Sequence, residues 1–185
     1  MRIVGGALRG RALSGPRSQA IRPTSERLRE SVFDILAHRF GDPIAGANVV
    51  DLFAGAGALG LEAVSRGAAR ALFVDDGAEA RALLRANIEA LGLGGVTRIF
   101  RRDATKLGAA PEGETFSLAF LDPPYGKDLA TPALIALVDG GWLTPNAIVV
   151  VEESAKAHIN LPPNLLREDE RRYGATQFVF ARYIR

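Results

Sequence analysis

The 185-residue sequence has no cysteine, one methionine, one tryptophan and only two histidines, His38 and His158. Without cysteine there is no disulfide, thiolate zinc site, iron–sulfur cluster or cysteine nucleophile. Two histidines so far apart argue against a histidine-rich metal centre or a Ser-His-Asp triad, and no metal is expected. No apolar run approaches the roughly 18 residues of a membrane span, and Met1-Arg2-Ile3-Val4-Gly5-Gly6 lacks the apolar stretch of a signal peptide. The expectation is a cytoplasmic chain with no membrane partner. Lysine is scarce too: Lys106, Lys127 and Lys156 are the only ones among 23 basic residues. The remainder are arginines, the side chain suited to bidentate phosphate contacts.

The charge that is present is unevenly spread. Residues 1–39 carry eight arginines against Glu26, Glu30 and Asp34, whereas residues 40–185 carry more acidic than basic groups. A basic arm on a mildly acidic body suggests a polyanion docked beside a catalytic domain. The plainer reading is a composition bias, since the body is also rich in arginine. If the arm grips phosphates, Arg2, Arg9, Arg11, Arg22, Arg27 and Arg29 are the candidates. Pro23 would hold Arg22 and Thr24 at a fixed bend, which makes these two candidates for a base pocket.

Residues 2–13 read as two short strands joined through Gly5, Gly6 and Gly10, followed by a loop to Pro23. Thr24 or Ser25 can cap a helix with Leu28, Val32, Ile35 and Leu36 on one face, ending near Gly41-Asp42-Pro43. From residue 48 the pattern becomes β-α alternation. Strands are expected over 48–54, 71–75, 96–101, 116–121 and 147–152, and helices over 58–66, 78–91 and 129–138. Residues 165–173 and 177–183 read as an antiparallel pair. Two units are expected, a basic hairpin, loop and helix over 1–40 and a cofactor-binding catalytic domain over 41–185. The class is α/β: a mainly parallel, doubly wound sheet closed by a terminal hairpin, which leans away from a plain dinucleotide fold.

The first strand runs into Asp51-Leu52-Phe53-Ala54-Gly55-Ala56-Gly57-Ala58-Leu59-Gly60. Gly55, Gly57 and Gly60 satisfy a G-x-G-x-x-G spacing between a strand and a helix, where backbone comes close to a ligand. Asp75 ends the next strand, where a carboxylate can accept from both ribose hydroxyls. Those marks suit a nicotinamide dinucleotide or an adenosyl cofactor. Asp51 separates the two, because its carboxylate would repel a pyrophosphate and attract the ammonium of S-adenosylmethionine. Asp103, just past the third strand, can accept from an adenine amine. Capping roles for Asp51 and Asp103 are the structural alternatives.

Asp122-Pro123-Pro124-Tyr125 ends the fourth strand, at the edge of the sheet where open α/β folds bind ligands. Two prolines stiffen the turn and leave carbonyls free to accept. The Asp122 carboxylate and a backbone carbonyl can grip both hydrogens of a planar –NH2, and Tyr125 can stack on the ring that bears it.

D-L-F-A-G-x-G followed by D-P-P-Y resembles the class I S-adenosylmethionine-dependent amino methyltransferases. RIVGGALRGRAL, Arg22-Pro23-Thr24, and Arg27, Arg29, Glu30, Phe33 and Ile35-Leu36 are similar to the bacterial 16S rRNA guanine-N2 methyltransferase family, small-subunit methyltransferase D type. Ala56 stands where that family usually has Ser, and Asp75 where Glu is more usual. The resemblance implies a Rossmann-like fold with a seven-stranded sheet, and S-adenosylmethionine held by Asp51, Phe53, Gly55, Gly57, Gly60, Asp75 and Asp103. It implies catalysis by Asp122, Pro123, Pro124 and Tyr125 on 16S rRNA or an assembling small ribosomal subunit, by a monomer. A DNA adenine-N6 methyltransferase, a protein-glutamine methyltransferase and a non-enzymatic RNA-binding module are the rivals.

Overall fold

The computed structural model describes residues 1–16 and 25–185. Arg22 and Thr24, two candidates for substrate contact, lie outside the described residues. Ser25 caps the first helix, α1 (Glu26–Arg39), by accepting from the Leu28 N–H at 3.2 Å.

The body alternates strand and helix from there: β1 (Asn48–Leu52), α2 (Ala58–Ser65), β2 (Arg70–Val74), α3 (Ala78–Leu91), β3 (Thr97–Phe100), β4 (Phe116–Leu121), α4 (Ala130–Asp139) and β5 (Leu143–Ser154). The chain closes with β6 (Leu165–Tyr173) and β7 (Thr176–Tyr183). One seven-stranded sheet results, in the order β3-β2-β1-β4-β5-β7-β6. The first five strands of the sheet are parallel, while β7 runs antiparallel to both β5 and β6. This is the expected doubly wound sheet with its terminal hairpin.

Period-two alternation sends the two faces of each strand into different cores. Val49, Phe73, Leu118, Phe120, Val150 and Phe180 pack with α1, α2, α3 and the N-terminal arm. Val50, Leu72, Ala119, Leu121, Val149 and Val179 pack with α4 on the other side. Ile3 and Leu13 of the arm and Val32, Phe33 and Leu36 of α1 belong to the first core, so the described part of the arm and α1 share their packing with the body.

The expected hairpin over 2–13 is short and irregular: an antiparallel bridge joins Arg2 and Ala12, and Ile3, Gly10 and Leu13 donate to the Arg11, Ile3 and Met1 carbonyls at 2.9, 2.8 and 2.8 Å. The stretch around its turn is held by α2. The N–H groups of Val4 and Gly5 donate to the Glu62 carboxylate, at 3.1 and 2.9 Å, and Ala7 donates to the Ser65 carbonyl at 2.8 Å. Gly6 fits only because it lacks a side chain: a Cβ there would lie 2.0 Å from the Ser65 carbonyl oxygen, and its φ is +78°. Among the described residues no helix is long and apolar enough to cross a membrane.

Candidate active site

The C-terminal ends of β1, β2, β4 and β5 border a cavity of about 640 Å³. Asp51, Phe53, Gly55 and Asp75 form one flank, and Asp122, Pro123, Pro124, Tyr125 and Glu152 the other. Sequence positions far apart therefore meet at the edge of the sheet where the strand order reverses between β1 and β4.

On the first flank the carboxylates brace backbone. Asp51 is 1% exposed, and its Oδ2 accepts from the Gly60 N–H at 3.0 Å in the first turn of α2. Burial pushes its carboxyl up to about 8; the Gly60 hydrogen bond opposes this and the Asp75 charge adds to it. Asp51 thus caps the helix and lines the cavity at once. Asp75 accepts from Gly55 N through Oδ2, at 2.9 Å, and from Gly77 N through Oδ1, at 2.8 Å. Asn87 of α3 is clipped to the Ala56 carbonyl at 2.9 Å and to Ser14 of the arm. Phe53 is held at a φ of +56°, a conformation unfavourable for a bulky residue and maintained here by the hydrogen bonds around it.

The three glycines divide. A Cβ at Gly55 would meet nothing within 4 Å, so its lack of a side chain leaves the cavity open. A Cβ at Gly57 would come within 2.4 Å of Leu84, and one at Gly60 within 2.4 Å of the Phe73 ring. Gly57 and Gly60 do not border the cavity; their part is to let α2 pack closely on α3 and β2. Asp103 fills the capping role that the sequence also allowed. It caps the short 3-10 turn Ala104–Lys106, accepting from the Thr105 hydroxyl at 2.7 Å and its N–H at 2.8 Å, bonds that hold its carboxyl below the usual range. It does not line the cavity.

On the second flank the Asp122 N–H, 3.4 Å from the Leu52 carbonyl, extends the β1–β4 ladder into the turn. Pro123 is buried behind it. The Tyr125 hydroxyl lies 2.9 Å from Thr176 Oγ1 and 3.4 Å from Glu152 Oε1, so β5 and β7 fix the ring. Sequence reading missed Glu152, Met1 and Pro16, all of which border the cavity, as does Lys127. Glu152 had a visible signal: it is an acidic residue ending the apolar run Ala147–Val151, as Asp122 ends Phe116–Leu121.

The arm's arginines also divide. Arg29, expected on phosphate, is fully buried. Its guanidinium lies 3.5 Å from Glu62 and bonds the Arg2 carbonyl, and burial lowers its pKa against the opposing pull of Glu62. Arg2 pairs with Glu26 at 3.1 Å, and Arg11 donates to the Ala90 carbonyl at 2.7 Å. Arg9 and Arg27 are exposed.

The open space at Gly55 and a buried carboxylate beside it suit a ligand with a cationic end, and the donor set fits S-adenosylmethionine better than a pyrophosphate. The family model described as conserved hypothetical protein 95 matches residues 1–182. Ribosomal RNA small subunit methyltransferase D of Escherichia coli strain K12 is 38% identical over 157 residues, 84% of this chain and 76% of that protein. The protein of the same name in Haemophilus influenzae is 32% identical over 172 residues, 91% of this chain and 87% of the other. The solved structure of "Putative methyltransferase yhhF from Escherichia coli" aligns with a TM-score of 0.83 at 32% identity, covering 100% and 98% of the two chains. An RNA methyltransferase from Salinibacter ruber in complex with S-adenosyl-L-homocysteine shares the fold at 12% identity, with a TM-score of 0.66 over 88% of this chain and 94% of that one.

Proposed function

The chain belongs to the conserved hypothetical protein 95 family, and from that premise we propose that it is an S-adenosylmethionine-dependent methyltransferase acting on the exocyclic N2 of a guanine in small-subunit rRNA. One observation carries this reading. A single cavity joins the Asp51–Gly55–Asp75 flank to the Asp122-Pro123-Pro124-Tyr125 turn. The first suits the ends of an adenosyl amino acid and the second a planar amine. The curated relatives named as small-subunit rRNA methyltransferases support the substrate.

Asp51 faces the amino-acid ammonium and Asp75 the ribose hydroxyls, while Gly55 lets the cofactor approach the backbone. The cofactor supplies a methyl on a sulfonium, so the protein's contribution is alignment and a site with little water. Asp122 and the Pro123 carbonyl accept from the two amine hydrogens. That grip favours a pyramidal nitrogen with its lone pair directed at the methyl. The Tyr125 ring supports the base from its face, which requires a guanine that is unpaired or turned out of a helix. Exposed Arg9 and Arg27 contact RNA phosphates, with Arg2 and Arg11 beside them. Arg29 acts from below, by holding the arm.

The test is methyl transfer from labelled S-adenosylmethionine to small ribosomal subunits, naked small-subunit rRNA, DNA and protein, all from cells lacking the gene. Label should appear in RNA and digest to N2-methylguanosine. Label in DNA as N6-methyladenine, or in protein, would overturn the proposal.

A further inference from the structure

The acidic body carries one basic exception. Residues 98–106 hold Arg98, Arg101, Arg102 and Lys106 against Asp103 alone, and the Asp103 carboxylate is engaged by Thr105. The cluster lies on and just past β3, the strand at one edge of the sheet. All four cationic side chains are on exposed residues.

Contacts organise the cluster. Arg98 and Arg102 flank Phe100 two residues away on either side, positions that extended backbone places on one face. Their guanidinium carbons stand 4.9 and 5.2 Å from the centre of the Phe100 ring, within reach of a cation–π contact. Arg102 is also pinned by donating to the Leu107 carbonyl at 2.8 Å. Arg98 shares Glu114 with Arg70, at 2.8 and 3.9 Å, so one carboxylate faces two guanidinium groups. Arg101 and Arg102 enter no ion pair among the described residues. The cluster also reaches the candidate active site. Asp75 borders the cavity, and its N–H donates to the Phe100 carbonyl at 3.2 Å. The chain therefore leaves β3 at the same C-terminal edge of the sheet that carries the cavity.

We propose that this β3 edge is a second RNA-binding surface, where Arg98, Arg101 and Arg102 hold phosphates of the strand that delivers the target base. The inference rests on the RNA substrate proposed above. Charge selects the occupant: unneutralised guanidinium groups suit a polyanion, and those already oriented by a ring and a carbonyl lose little freedom on meeting a phosphate. Phe100, the apolar group at the centre, is half-buried and flanked by two arginines, which leaves little for an apolar partner. Together with the arm, this edge gives RNA contacts at two places. Two contacts fix the strand's direction across the cavity mouth, where one would leave it free to pivot. Charged side chains also guard a sheet edge against pairing with another chain. If that were their whole role, RNA binding would survive their loss.

The experiment measures binding of small-subunit rRNA across a salt series, with S-adenosyl-L-homocysteine present, for the wild type and two double variants. Arg101→Gln with Arg102→Gln removes two charges beside β3. Arg171→Gln with Arg172→Gln removes two from β6, the opposite edge of the sheet. The β3 variant should lose about tenfold in RNA affinity at physiological salt and flatten the salt slope by about one to two units. The β6 variant should match the wild type. Melting temperature and S-adenosyl-L-homocysteine affinity should be kept in both. In methyl transfer the β3 variant should show a raised KM for RNA with kcat retained. Equal losses of RNA affinity in the two variants would be an effect of net charge and overturn the proposal. Unchanged RNA affinity in the folded β3 variant overturns it too and leaves these arginines as guards of the sheet edge. If the wild type transfers methyl to no RNA, the function proposed above fails first and this inference with it.

Discussion

The two flanks of the cavity use carboxylates in opposite ways. On the β1–β2 flank, Asp51 and Asp75 hold backbone N–H groups of Gly60, Gly55 and Gly77, so the groups offered to a ligand are also the ones that shape the loop. On the β4–β5 flank, two prolines set the turn and β5 and β7 anchor Tyr125, so local shape does not depend on a carboxylate gripping the glycine loop. Structure and ligand binding are therefore fused on one side and separable on the other. A substitution on the first flank should lower stability and affinity together, and one on the second should lower rate alone.

The largest effect is expected beneath the first flank. Glu62 is fully buried on the inner side of α2, where it accepts from Val4 and Gly5, pairs with Arg66 at 3.0 Å and lies beside Arg29. Glu62→Ala leaves a buried guanidinium and two N–H groups without their acceptor, a loss of roughly 3–5 kcal/mol. Urea unfolding should show it, with cofactor affinity falling in step. A loss below about 1 kcal/mol would mean that the arm is not tied down through this residue.

Next comes Asp122→Ala. Methyl transfer should slow by about a hundredfold or more, a barrier rise of roughly 3 kcal/mol, with melting temperature and cofactor affinity kept. Asp122→Asn should retain more activity, since its carbonyl oxygen can still accept from the amine. Rate and melting temperature falling together in Asp122→Ala would erase the contrast between the flanks.

Asp75→Ala probes the fused side directly. It removes a charged acceptor for ribose and the acceptor for Gly55 and Gly77. S-adenosylmethionine affinity should drop by roughly 1.5–3 kcal/mol, and apo stability by about 1 kcal/mol. Calorimetry beside thermal melts measures both. Weakened binding with unchanged stability would show the brace to be dispensable.

Much of this was legible in the sequence, for reasons that also explain the misses. Buried parallel strands read as apolar runs, so every body strand was found to within a few residues, and α3 was found to the residue. Asp51, Asp75 and the Asp122–Tyr125 turn sit at strand ends, a position that spacing alone reveals. Gly57 and Gly60 share a motif with Gly55, but the motif does not say which glycine faces a ligand and which faces Phe73. Arg29 could not be told from Arg27 by charge; helical phase puts one against Glu62 and the other in solvent. Met1 and Pro16 reach the cavity through tertiary packing that leaves no local pattern.

The last prediction turns on Asp51, where the fused flank should be readable by pH. Its carboxyl is raised by burial to about 8, against roughly 3.9 in an unfolded chain. Between those values the folded protein keeps a proton that the unfolded chain has released. Stability from this group is therefore complete below about pH 4 and declines as pH rises toward 8, by up to about 1.4 kcal/mol per pH unit. A cationic ammonium beside Asp51 favours the ionised form, so binding S-adenosylmethionine should release a proton and tighten as pH rises toward 8. Asp51→Asn keeps a carbonyl acceptor for Gly60 and cannot ionise. Its apo stability should vary less between pH 5 and 8 than the wild type's, and its weaker cofactor affinity should lose the upward trend. Calorimetry in two buffers of different ionisation enthalpy counts the released proton. Identical pH profiles for the two proteins would show that Asp51 only caps the helix and plays no part in holding the cofactor's charge.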